Sequence, residues 1–237
     1  MKPPEPTEPM TELELLRLAE LAELGVMTAS LLHELRQPLF AVKGRLQLAR
    51  HARRPLDPDE VEALLQNVDH VEQLIEHYAG LTRPEDTWIE VDLRDEVARA
   101  IGMLAHRARQ GRVEIASDLD EQVLLVRGRP VAVRQVVLNL VGNAVDAVSG
   151  RPEAKVVVRA RIAGRVVRLE VLDNGPGIAP EVVHRLFQPF VTTKGPGRGT
   201  GLGLYIARRL AEEVGGTVHA EPGPSGGARL TVHLPIV

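Results

Sequence analysis

Four stretches of this 237-residue chain hold residue types at spacings that could do chemistry. The first is LLHELRQPL, residues 31–39, where Glu34 follows His33 at once and Pro38 stands five residues after the histidine. A neutral imidazole is a competent nucleophile near neutral pH, its reference pKa being about 6.5. Glu34 can accept from the other ring N–H and act as general base. Gln37 is four residues from His33 and shares its helix face. The other histidines, at 51, 70, 77, 106, 184, 219 and 233, lack this setting. Taken alone, an exposed helical histidine is more often solvated decoration.

The second stretch is VVLNLVGNAVDAV, in which Asn139 and Asn143 lie one helical turn apart on an apolar helix. Buried amides need partners. They form either a polar helix contact or an oxygen-rich site for phosphate and Mg²⁺, a cation that prefers oxygen ligands. The third is DNGPGI, beginning at Asp173 directly after an apolar, β-rich run. A carboxylate there could accept from an exocyclic amine such as that of adenine. Gly175 and Gly177 would admit a flat ring close to the backbone, although an ordinary Gly-Pro turn is the competing reading. The fourth is GTGLGL, with Gly199, Thr200, Gly201, Leu202 and Gly203 opening a helix. Free amides at a helix N-terminus favour anions. No Gly-Lys-Ser/Thr follows, and the loop does not follow a strand closely, so neither a Walker loop nor a dinucleotide fingerprint is present.

These groups need elements to hold them. Residues 1–10 are Pro- and Glu-rich and read as linker or disorder. Thr11 and Glu14 can form a capping box for a helix over about 12–53. Its apolar stripe is Leu24, Met27, Leu31, Leu35, Pro38, Val42, Leu46 and Ala49, at steps close to a bundle seam. His33 lies about 200° from Leu31 and points away from that seam. Pro38 removes a donor and should bend the helix just after His33. RRPLDP, residues 53–58, is a tight connection to a second helix with Val61, Leu64, Val68, Val71, Ile75 and Tyr78 on one stripe. A second copy most simply completes such a hairpin as a four-helix bundle, so a homodimer is expected. The helical hairpin is placed at 11–84 and a second domain at 88–237. That domain reads as strand, helix, two strands, a helix over 130–148, a hairpin around Ala163-Gly164, a short helix, a glycine-rich loop, a helix from about 202, and two strands. The pattern suits an α/β sandwich with helices on one face of a mixed sheet.

Bulk composition narrows the function classes. The hydrophobic fraction is 44% with only 3% aromatic, so the core is built of Leu, Val and Ala. A net charge of −3 gives no electrostatic case for nucleic acid, which would want a concentrated basic patch. The absence of cysteine excludes disulfides and thiolate metal sites. No apolar run approaches the roughly 20 residues that span a bilayer. The expectation is a cytoplasmic chain with no membrane contact of its own, or the cytoplasmic part of a larger sensor.

Together, in this order, the motifs resemble the catalytic core of the sensor histidine kinases, whose ATP domain is of the type shared with gyrase B, Hsp90 and MutL. Residues 31–39 resemble the H box and Asn139–Asn143 the N box. Residues 173–177 resemble the G1 box, LFQPF at 186–190 the F box, and 199–203 the G2 box. The resemblance implies a phosphoacceptor hairpin followed by an ATP domain, with ATP and Mg²⁺ as cofactors. It implies Asn143 as metal ligand, Asn139 near phosphate or metal, Asp173 on adenine, and Lys194 on the terminal phosphates. Residues 191–198 would form a mobile lid. Asp146 stands where many relatives carry a basic residue. His33 would pass its phosphoryl group to an aspartate of a response-regulator receiver domain. Gln37 stands where a Thr or Asn is linked to dephosphorylating that partner. Arg36 replaces the usual Asn of the H-E-[LI]-N-Q-P-L subgroup. Arg36, Lys43 and Arg50 form a basic stripe that could meet an acidic receiver, or a merely solvated face. An ATP-gated dimeric ATPase and an inactive scaffold of the same superfamily are the competing readings.

Overall fold

The computed structural model describes residues 32, 35–68, 71, 87–192, 201–224 and 226–237. The chain divides into two compact units, Met1–Tyr78 and Ala79–Val237. In the first unit, helix α1 covers residues 35–52 and α2 covers residues 58–68. α1 continues unbroken through Pro38, whose ring is buried. The turn between them is held by Arg54 N–H donating to the Ala49 carbonyl at 3.3 Å. α2 starts on a reciprocal cap: Glu60 N–H donates to Asp57 Oδ1 at 2.8 Å, and Asp57 N–H to Glu60 Oε2 at 3.1 Å. The Arg54 guanidinium grips the same Glu60 with both arms. The Arg54 hydrogen bond, with the Asp57 amide, brings the Glu60 carboxyl down to about 2.

Leu35, Pro38, Val42 and Ala49 form the inward edge of α1. Leu46, which the heptad pattern places on the same stripe, is exposed instead. Leu39, Phe40 and Leu48 of α1 and Val61, Leu65 and Val68 of α2 are also exposed. Two helices have only one mutual face, and among the described residues these apolar side chains are left exposed.

The second unit runs β1 (Ile89–Asp92), α3 (Leu93–Gly111), β2 (Glu114–Leu119), β3 (Leu125–Gly128), α4 (Pro130–Val148), β4 (Lys155–Ala163), β5 (Val166–Asp173), α5 (Pro180–Val183), α6 (Gly203–Glu213), β6 (Thr217–Pro222) and β7 (Ala228–Pro235). Five strands form one mixed sheet, β2-β4-β5-β7-β6, in which only β2 and β4 pair in parallel. β1 and β3 form a separate two-stranded antiparallel sheet, which the sequence pattern does not distinguish from the main one. β4 and β5 make the expected hairpin, with Gly164 at φ +67 where a side chain would be strained.

α4 packs on β4 and β5 and lies between α3 and α6. Val156, Val158 and Ala160 of β4, Val167, Leu169 and Val171 of β5, and Leu230, Val232 and Leu234 of β7 are buried in alternation. Most of their neighbours on the opposite face are polar, Arg159, Arg168 and Glu170 among them, while Val157, Val166 and Leu172 are apolar. This period of two leaves one face for the helices and one for water. α4 is 19 residues long and apolar enough, by length and composition, to cross a membrane. Its burial between two helices and a sheet accounts for that composition.

Asp92 caps α3 by accepting from Arg94 N–H at 3.0 Å. One turn on, Glu96 is 2% exposed and ion-paired to Arg99 and, at 2.7 Å, to Arg134 of α4. Arg134→Ala would leave that buried carboxylate with Arg99 alone, whose side chain is largely exposed. The expected loss is about 2–3 kcal/mol by urea denaturation, below the usual range for a fully buried pair because Arg134 is partly exposed. A loss under about 0.5 kcal/mol would contradict this role.

Candidate functional site

α4 is the floor of the site. Pro130 opens it at the first helical position, where no donor is lost. Val133, Val136, Val137, Leu140, Val141, Ala144 and Val145 bury around its circumference. That burial holds Gln135 and Asn139 in the interior, at 4% and 7% exposure. Gln135 Nε2 donates to Asn139 Oδ1 at 3.2 Å. The Asn139 amide nitrogen is buried with no acceptor. Leaving such a donor unsatisfied costs about 1–3 kcal/mol. A phosphate oxygen would supply the acceptor, so this helix fits an anionic oxygen ligand. Asn143, one turn on, is partly exposed, as a residue that offers its amide oxygen to a ligand must be.

Asp173 ends β5, and its fixation explains the glycines around it. Its Oδ1 accepts from Gly175 N–H at 2.8 Å and from Ala228 N–H at 3.2 Å. Burial pushes the carboxyl above its usual range, while the two amides and the nearby Arg151 pull the other way. Oδ1 is thereby committed to backbone, and Oδ2 is left as an acceptor for a ligand donor. A Cβ on Gly175 would stand 2.7 Å from that Oδ1 and 3.3 Å from the Ala147 carbonyl of α4. Gly177, at φ +78, comes within 3.0 Å of the Gly226 carbonyl by the same measure. These glycines therefore serve close approach of backbone to backbone, besides any approach to a ring.

Gly227 is a site residue that the sequence reading missed. A Cβ there would lie 1.9 Å from the Asp173 carbonyl and 2.8 Å from its carboxylate. The available signal was the Gly226-Gly227 pair directly before the last strand. Gly201 has a comparable role. It sits at φ +67, and a Cβ would fall 2.4 Å from the Phe190 carbonyl carbon and 2.7 Å from Val191 N. Phe190 itself adopts a left-handed φ of 64, rare for a bulky residue. Phe190 and Gly201 thus approach each other closely, backbone to backbone. Leu202 is fully buried at the N-cap of α6, and Gly203 begins the helix.

Within the second unit, Asn139 and Asn143 lie on α4, Asp173, Gly175 and Gly177 lie at the end of β5 beside the start of β7, and Gly201, Leu202 and Gly203 lead into α6, which packs on α4. Gln37 lies exposed on α1. His33, Glu34, Lys194, Gly199 and Thr200 lie outside the described residues, as does the expected lid beyond Thr192.

Two family models match the chain. "His Kinase A (phospho-acceptor) domain" covers residues 23–87, and "Histidine kinase-, DNA gyrase B-, and HSP90-like ATPase" covers residues 128–237. Among curated relatives, the two-component sensor PprA of Pseudomonas aeruginosa is 34% identical over 90% of this chain and 24% of its own. The signal transduction histidine-protein kinase AtoS of Escherichia coli is 30% identical over 90% of this chain and 35% of its own. This chain thus spans about a quarter to a third of the length of those relatives. A solved structure, full-length ShkA in complex with AMPPNP, superposes with a TM-score of 0.62 at 30% identity, covering 89% of this chain and 45% of that one.

Proposed function

We propose that this chain, which belongs to the sensor histidine kinase family, is an ATP-dependent protein-histidine kinase core that phosphorylates His33 and passes the group to a receiver aspartate. Residues 11–84 act as the dimerisation and phosphoacceptor hairpin, and residues 88–237 as the ATP domain. The observation that carries the reading is the Asp173 carboxylate, locked through one oxygen by two backbone amides and left with the other for an amine. Asn139, whose buried amide nitrogen has no acceptor, stands ready for phosphate. The AMPPNP complex of the ShkA relative supports a nucleotide in this fold. Mg²⁺ held by the Asn143 amide oxygen would offset phosphate charge, with Lys194 on the terminal phosphates. An ATP-clamped ATPase would not need a His-Glu helical hairpin upstream, which this chain carries.

In the transfer, a ring nitrogen of His33 forms a bond to the γ-phosphorus as the bond to the leaving ADP oxygen breaks. Glu34 accepts from the other ring N–H and offsets the growing imidazolium charge. A receiver carboxylate then takes the phosphoryl group and frees the imidazole. Gln37, exposed on α1, could orient water for hydrolysis of the receiver's aspartyl phosphate, releasing inorganic phosphate. The exposed apolar side chains of α1 and α2 support a second copy as the hairpin's partner. Incubation with γ-labelled ATP and Mg²⁺ tests the chemistry: the protein-bound label should be acid-labile and alkali-stable. Label that survives acid would mean a hydroxyl acceptor and would contradict the proposal.

A further inference from the structure

We propose that Arg107 is an electrostatic positioning residue for the nucleotide's polyphosphate, acting by neutralising Asp146 beside Asn143. The inference deepens the nucleotide reading above and rests on it. Around α4, Asp146 lies about 40° and Asn143 about 100° from Gly142, so Asp146 sits between the other two. α3 runs alongside this turn. A Cβ on Gly142 would stand 3.7 Å from Leu104 Cδ2 and 3.6 Å from Arg107 Nη1. Nη2 of the same guanidinium donates to Asp146 Oδ1. The cation therefore lies along one turn of α4, over a residue without a side chain, on the flank of the turn that presents Asn143.

This pair is not a core ion pair maintained for folding. The Arg107 side chain is 39% exposed and that of Asp146 is 20%, and pairs of that kind add little stability. Its consequence is electrostatic. A polyphosphate held at Asn143 brings several negative charges to within about one helical turn of the Asp146 carboxylate. With less positive charge beside it, that carboxylate would repel each of them more strongly, and the low effective dielectric of a partly buried site would magnify the effect. Arg107 removes the repulsion and holds the carboxylate towards α3. The penalty for losing Arg107 should therefore grow with the number of phosphates on the ligand.

The test is calorimetric titration of the full chain with ATP, ADP and adenosine in Mg²⁺, with thermal unfolding of each ligand-free variant. Arg107→Gln should weaken ATP on the order of tenfold, ADP less, and adenosine not at all. Asp146→Asn should tighten ATP relative to adenosine, and the double variant should recover at least the parent's ATP affinity. Equal losses for ATP and adenosine would overturn the proposal, as would a double variant as weak as Arg107→Gln. If Arg107→Gln fails to fold, Asp146→Asn alone decides, because unchanged discrimination between ATP and adenosine contradicts the shielding. Failure of the parent to bind any nucleotide would overturn the nucleotide reading itself. Binding by the parent with unaltered discrimination in the variants would overturn only the role of Arg107.

Discussion

Asp173→Asn should remove nucleotide binding, weakening ATP by about 100-fold or more, and leave the fold at least as stable. The Asp173 oxygen that accepts from the Gly175 and Ala228 amides must remain an oxygen in the variant, because an NH₂ there would face two donors. The amide nitrogen is then forced into the Oδ2 position and presents a donor to a donor amine. Loss of a charge-assisted hydrogen bond, worth about 1.5–3 kcal/mol, combines with an unpaired donor on each side. Titration with ATP measures the affinity, and urea denaturation measures the fold. An affinity within about threefold of the parent would remove Asp173 from the site.

The same carboxyl sets a pH dependence whose two parts have opposite signs. Burial raises the pKa of Asp173 above its usual value, so the folded chain holds that proton more strongly than the unfolded chain. Stability from this group therefore falls as pH rises from the ordinary carboxylate value through the raised folded value. Ligand affinity runs the other way: an amine donor needs the ionised form, so binding declines as pH drops through the raised value. Asp173→Asn should abolish both slopes.

Gly227→Ala should cost about 3 kcal/mol or more, at or above the upper end of the overpacking range, and should also abolish nucleotide binding. The new methyl would meet the Asp173 carbonyl at 1.9 Å and its carbon at 2.6 Å. These are backbone atoms with no flexible end to yield. Relief requires β5 and β7 to separate beside the Leu172–Arg229 register pair, which also displaces the Ala228 amide from the carboxylate. Gly102 provides the control. It lies inside α3 with nothing within 4 Å, so Gly102→Ala should stabilise by about 0.5–1 kcal/mol. Urea midpoints for the two variants should move in opposite directions. A Gly227→Ala protein as stable as the parent would contradict the packing described.

α4 could be read from the sequence at both ends, because Pro130 marks its start and the apolar run carries it to Val148. Asp173 was legible because a carboxylate followed by alternating glycines after an apolar strand has few uses. Gly227 was not, since its collision partner lies 54 positions earlier and is set by pairing of β5 with β7. Arg107 and Asp146 meet across 39 positions, through side-by-side packing of α3 and α4 that periodicity does not specify. Leu46 fits its heptad yet faces outward, because a stripe fixes phase along a helix and not which neighbour covers it. The separation of β1 and β3 into their own sheet depends on pairing, and alternation alone carries no partner.

The central claim is that ATP bound by the second domain phosphorylates His33. It is tested most directly by incubating the parent chain and His33→Gln with γ-labelled ATP and Mg²⁺ and following protein-bound label. The expected result is acid-labile label on the parent and none on the variant, with both proteins binding ATP equally. Label of the same stability and amount on His33→Gln would contradict the account.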